Sequence, residues 1–192
     1  MQLIIISGKI GSGKSTLSKC FQKKGYYYIN SDSFAKNIIQ NNKFIIDKLN
    51  KEFDILNNEK KISLKDLKNI FLSSDENKNK INSIIHPCFY KELNLILGES
   101  SHKRIVLELP LIETSNNIEY DFKIVSIKTN LKTREQRYLA KPSSKAEDFI
   151  ILNKYQKSSE YYEKYSDYVI SNNGTIEILQ TRFNKLYSKF KE

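Results

Sequence analysis

Leu3-Ile4-Ile5-Ile6-Ser7-Gly8-Lys9-Ile10-Gly11-Ser12-Gly13-Lys14-Ser15 is the stretch whose reading decides the fold. Leu3 to Ser7 is a near-continuous apolar run, the pattern of a central parallel strand covered on both faces. Gly8 to Ser15 then fits G-x-x-x-x-G-K-[ST] at every fixed position, and Lys14 to Lys24 reads as a helix stopped by Gly25. Each residue type has a reason. Gly8, Gly11 and Gly13 allow backbone conformations and close approaches that a side chain blocks. Successive N–H groups can then turn inward on phosphate oxygens, reinforced by the positive end of the helix. Lys14 supplies a point charge for the β- and γ-phosphates, and the Ser15 hydroxyl suits Mg²⁺. Gly8, Gly11, Ser12, Gly13, Lys14, Ser15 and Thr16 are therefore the expected ATP-binding residues, with Ser15 the expected metal ligand.

Outward from this loop, short apolar runs alternate with longer amphipathic stretches, which argues for α/β architecture. Further strands are predicted at Tyr26–Ile29, Ile105–Leu109, Lys123–Ile127 and Tyr168–Ser171. With the first, they make a doubly wound, five-stranded parallel sheet. Helices are predicted from Asp32 to Gln40, Leu131 to Ala140, Lys145 to Tyr165 and Ile176 to Phe190. The segment from about 43 to 98 reads as mainly helical, broken or bent at Pro87. No repeat or linker interrupts the chain, so residues 1–192 are expected to form one domain with a helical insertion.

Composition narrows the function. The net charge of +10 invites a nucleic-acid reading, but the lysines are scattered and outnumber the arginines 28 to 4. Arginine is the residue best suited to bidentate contacts with bases and phosphates, so the expectation is no nucleic-acid partner. No apolar run approaches the roughly 18 residues a membrane span needs. Cys20 and Cys88 fit no metal or redox spacing and suit a reducing compartment, so the expected location is cytoplasmic.

A phosphate loop does not by itself separate a kinase from an ATPase or a GTPase. The chain is short for a motor ATPase, and no N-K-x-D base-reading motif is present. Asn30-Ser31-Asp32 also falls at the carboxyl end of the second strand, where ligands collect in open α/β sheets. A carboxylate there can orient an acceptor hydroxyl and take its proton. Asp32 is thus either that group or the N-cap of the helix that follows.

Several elements in order resemble the dephospho-coenzyme A kinase family over nearly the whole chain. They are Gly8–Thr16, the D-x-D-like Asn30-Ser31-Asp32, Leu67-Lys68-Asn69-Ile70-Phe71, His86-Pro87 and Pro110-Leu111-Ile112. Asp121–Val125, Arg137, Gln156 and Asp167–Gly174 complete the set. The resemblance implies transfer of the ATP γ-phosphate to the ribose 3′-hydroxyl of dephospho-coenzyme A. Lys14, Asp32 and Arg137 then become the catalytic residues, Arg137 as a lid cation, with the lid itself at about 140–165. Asp32, His86, Pro87 and Pro110 become acceptor-binding residues, with the 43–98 insertion on the acceptor side. Asn172 and Gly174 would line the adenine.

Blander readings stand beside these. Arg137 also suits a solvated helix face, His86-Pro87 a helix bend, and Asn172–Gly174 a turn. Glu108 is either a structural residue or one that acts on Mg²⁺ through water. The sequence departs from the family pattern at Asn30, where an acid is usual, at Ser63-Leu64 in place of D-R, and at Lys141 and Ala146. Another small-metabolite kinase acting on a nucleoside or nucleotide is the alternative reading. An ATP-gated nucleic-acid-binding protein is a more distant one.

Overall fold

Ile4, Ile5 and Ile6 lose all contact with water, and the strand they form lies in the middle of the sheet. A computed structural model describes residues 1–190, which divide into two compact units. One holds Met1–Asn30 and the chain from Ser101 onward; the other is Ser31–Ser100.

The first unit carries β1 (Gln2–Ser7), α1 (Lys14–Gln22) and β2 (Tyr27–Asn30). After the other unit, the chain returns with β3 (Arg104–Glu108) and β4 (Phe122–Lys128). All five strands are parallel, in the order β2-β3-β1-β4-β5, with β5 at Tyr168–Ser171. This is the five-stranded parallel sheet expected from the sequence. From β1 the chain moves to β2 and β3 on one side, then crosses to β4 and β5 on the other, so the strand order reverses at β1. The carboxyl end of that strand is the place where open α/β sheets take ligands.

One face of the sheet explains why α1 stays put. Ile4, Ile6, Val106, Val125 and Ile127 pack against Leu17 and Phe21 of α1. Leu179 and Phe183 of a closing helix, Ile176–Tyr187, complete this core. The Phe21 ring meets Tyr26, Phe183, Tyr187 and Phe190 edge-on, a favourable arrangement of aromatic quadrupoles. The helix is thereby pinned with its amino end at the loop that follows β1.

The sequence expectation of one helix from Lys145 to Tyr165 is not met. The chain after the helix Leu131–Leu139 forms two shorter helices, Ala146–Tyr155 and Ser159–Lys164. Gln156 is extended at the break, and the Ser158 hydroxyl accepts from the Tyr161 N–H at 3.2 Å, starting a new helix. A 3₁₀ turn at Ile112–Asn117 and another at Ser188–Phe190 were likewise not foreseen.

The second unit is helical: α2 (Ser31–Asn41), α3 (Lys43–Phe53), α4 (Leu64–Ser73) and α5 (Asp75–Glu99). Asn42, Ser63 and Ser74 cap the last three through their side chains. The expected interruption at Pro87 does not occur, because α5 runs through it for 25 residues. Proline removes the N–H that would bond the carbonyl four residues back. Burial of Ile81, Ile85, Phe89, Leu93 and Leu97 along one side of α5 outweighs that loss. Among the described residues, no helix is long and apolar enough to cross a membrane. Because Pro87 is exposed and helical, Pro87→Ala is expected to stabilise the chain by about 1–2 kcal/mol, net of the entropy proline removes from the unfolded state. Urea unfolding reads the change.

Candidate active site

The loop between β1 and α1 is shaped by what holds its carbonyls. Lys14 Nζ donates to the Gly8 oxygen at 2.9 Å and to the Lys9 oxygen at 3.3 Å. Arg134 donates to the Ile10 oxygen at 3.3 Å. The Ser12 oxygen accepts from Asn172 Nδ2 at 2.8 Å and from the Thr129 hydroxyl at 3.2 Å. The Gly13 oxygen accepts the first bond of α1, from the Leu17 N–H at 3.1 Å. With these acceptors engaged, the peptide groups of the loop present donors to a ligand. The amino end of α1 has Gly13 as its cap and no side-chain cap, so the helix dipole acts there unscreened by a capping oxygen.

Two glycines are required by contact. At Gly11 (φ +75°) a Cβ would come within 2.2 Å of the Arg134 carbonyl oxygen. At Gly13 (φ +99°) it would come within 2.4 Å of Asn172 Nδ2. Both also lie in the left-handed region that favours glycine.

Ile10 shows how tightly this turn is built. Its carbonyl is taken by Arg134 and its N–H donates to Gln156 Oε1 at 2.7 Å. Arg134 is 5% exposed and also donates to the Thr129 oxygen and to Asn153 Oδ1. Sequence reasoning missed Arg134 and left Gln156 without a role. The sequence signal was the scarcity of arginine, since few of four are spent casually in such a lysine-rich chain.

A carboxylate stands beside the loop. Glu108 ends β3, is 5% exposed, and accepts from the Ser15 hydroxyl through Oε1 at 2.9 Å. Its Oε2 accepts from the Tyr28 hydroxyl and from Asn30 Nδ2, the latter at 3.0 Å. Asn30 and Glu108 are register partners across β2 and β3, and Tyr28 lies two residues back on the same face. Burial, and then the Glu108 carboxylate, push the Tyr28 hydroxyl up to about 12. A hydroxyl whose proton points at a carboxylate keeps its lone pairs for a cation. The donor set is all oxygen and suits a hard divalent ion such as Mg²⁺. Among the described residues, no group of three or more His, Cys, Asp or Glu side chains forms a metal cage. Ions that keep several waters and bind phosphate oxygens do not need one.

The other expected residues fall as follows. Thr16 is half-buried in the first turn of α1. Arg137 is committed to the carbonyls of Asn172 and Gly174, both at 2.9 Å, so its guanidinium fixes that loop. Asn172 is 5% exposed, with its amide on the Ser12 carbonyl. The Pro110 oxygen accepts from the Tyr162 hydroxyl at 2.8 Å. Asp32 belongs to the helical unit, exposed and inside the first turn of α2, which begins at Ser31. It is therefore not the cap that the sequence allowed. His86 is half-buried in α5, with Pro87 exposed beside it.

Removing the arginine that clamps Ile10 leaves buried carbonyls without donors. Arg134→Ala is expected to cost about 3 kcal/mol or more in urea unfolding, and Arg134→Lys most of that. Burial holds the His86 imidazole below its ordinary 6.5. The unfolded chain then binds the extra proton first. Stability is fully present above about pH 6.5 and falls as pH drops toward the folded value. Unfolding series at several pH values should show that slope flatten in His86→Gln.

The family model described as dephospho-CoA kinase matches residues 2–177. A dephospho-CoA kinase of Aquifex aeolicus is 30% identical over 193 aligned positions, covering 98% of this chain and 97% of that protein. One of Fusobacterium nucleatum is 32% identical over 184, covering 93% of each. Among solved structures, the dephospho-CoA kinase from Campylobacter jejuni superposes with a TM-score of 0.69 at 24% identity, over 99% of this chain and 98% of that one. A shikimate kinase from Acinetobacter baumannii in complex with shikimate gives 0.59 at 16% identity, over 100% and 95%, a likeness of fold alone. With the loop, the parallel sheet and a match over most of its length, the chain belongs to the dephospho-CoA kinase family.

Proposed function

We propose that this protein transfers the γ-phosphoryl group of ATP to the ribose 3′-hydroxyl of dephospho-coenzyme A, giving coenzyme A and ADP. The observation that supports it most is the phosphate loop, whose carbonyls are held by Lys14, Arg134, Asn172 and Thr129. In phosphoryl transfer the protein has little covalent chemistry to do, and positioning with fixed charge carries the catalysis.

Within that reading, the N–H groups of Gly11 and of Gly13 to Thr16 bind the β- and γ-phosphates, that of Ser12 being taken by the Lys9 carbonyl at 3.1 Å. Lys14 lies at the loop through its contacts with Gly8 and Lys9, and its ammonium stabilises charge on the transferred group. Ser15, backed by Glu108, would hold Mg²⁺, which when bound neutralises phosphate charge. Asp32 orients the acceptor hydroxyl and accepts its proton. Its exposure and its place two residues beyond the end of β2 support that role. Arg137, which donates to the Asn172 and Gly174 carbonyls, is assigned as the lid cation that stabilises the equatorial oxygens of the transferred group. His86, Pro87 and Pro110 are assigned to the acceptor, and residues 140–165 to a lid.

An acceptor panel of dephospho-coenzyme A, nucleosides and nucleotides with ATP and Mg²⁺ tests the substrate, with product mass locating the new phosphate. Phosphorylation of a nucleoside or nucleotide, and not of dephospho-coenzyme A, would overturn the assignment. Lys14→Ala is expected to abolish turnover. Asp32→Asn should keep ATP binding and lower kcat by at least ~100-fold, the scale of a lost general base. Full activity in Asp32→Asn would remove Asp32 from the chemistry.

A further inference from the structure

The carboxylate behind Ser15 is held without a charged partner among its described hydrogen bonds. Its described partners are three neutral donors: the hydroxyls of Ser15 and Tyr28, and the amide of Asn30. Asn30 Nδ2 also donates to the Tyr28 oxygen at 3.0 Å, so Tyr28 receives one hydrogen bond and passes one on to Glu108. Neutral donors stabilise a buried carboxylate without cancelling its charge, whereas a lysine or arginine partner would cancel it. The charge stays available to a cation at the exposed Ser15 hydroxyl.

The terminal torsion of a glutamate is soft, so a carboxylate held by one bond can swing. Here two donors on Oε2 settle which oxygen faces Ser15. An acid at position 30 would put a second carboxylate opposite Glu108 in the sheet register. Like charges at that separation would repel each other. The amide turns that repulsion into a donor, and the Tyr28 hydroxyl lies in the same cluster.

We propose that Tyr28 and Asn30 are positioning residues of the divalent-cation site, locking Glu108 so that it orients the Ser15 hydroxyl toward the cation bound with the nucleotide. This rests on the reading of Ser15 given above. It adds two residues that act through Glu108 and touch neither nucleotide nor acceptor.

The test is ADP binding by calorimetry, in excess Mg²⁺ and in EDTA. Wild-type protein should bind ADP more tightly with Mg²⁺. Tyr28→Phe should lose about 10-fold in affinity in Mg²⁺, the scale of one hydrogen bond to a charged group, and stay unchanged in EDTA. Asn30→Ala should behave in the same direction. The double variant should lose less than the product of the two, because both donors share one oxygen. Equal affinity of Tyr28→Phe and wild type in Mg²⁺ would overturn the proposal, as would an equal loss in both buffers, which marks a merely structural role. If Tyr28→Phe does not fold, Asn30→Ala in the same two buffers decides on the same criteria. Metal-dependent ADP binding without phosphorylation of dephospho-coenzyme A would sink the substrate reading and leave this one standing.

Discussion

Everything at the nucleotide end depends on where the carbonyls of one short turn find their donors. A loop that must offer N–H groups to an anion has to place its acceptors elsewhere, and buried acceptors without donors are costly. This chain meets the demand with side chains from distant segments, Arg134 on Ile10 and Asn172 and Thr129 on Ser12, and with the loop's own Lys14 on Gly8 and Lys9. The aromatic cluster around Phe21 holds α1, and with it the helix dipole, against the same sheet. Packing and polar satisfaction therefore fix one shape between them.

A second consequence of the sheet is the placement of the acid. Because β2 pairs with β3 in parallel, Asn30 and Glu108 come level at the carboxyl ends of their strands, on the side where α1 brings Ser15. Strand order thus gathers a hydroxyl, a phenol, an amide and a carboxylate that lie far apart in sequence. Gln156 ties the break between two later helices to the Ile10 N–H, which couples the region assigned as the lid to the phosphate loop.

Much of this was legible from the residues alone. The apolar run before Gly8 and the glycine spacing after it gave the strand, the loop and the helix, because local sterics and periodicity decide those. All five strands were recognisable for the same reason. What the sequence could not show was pairing. Nothing in Tyr28-Ile29-Asn30 reveals that β3 lies next to it, so the Glu108 cluster was out of reach. Nor could the sequence show that Arg137 donates to the carbonyls of Asn172 and Gly174. Pro87 looked like a breaker because propensity ignores the burial along α5 that carries the helix through it. The long lid helix was split by Ser158, an N-cap signal overlooked within a helical pattern.

The most direct measurement of the central claim is amide hydrogen exchange across residues 8–16, with and without ATP and Mg²⁺. Nucleotide bound by these peptide groups should slow their exchange strongly, while α3 and α4 change little. Unchanged exchange in that segment at saturating nucleotide would contradict a phosphate cradle at the end of β1.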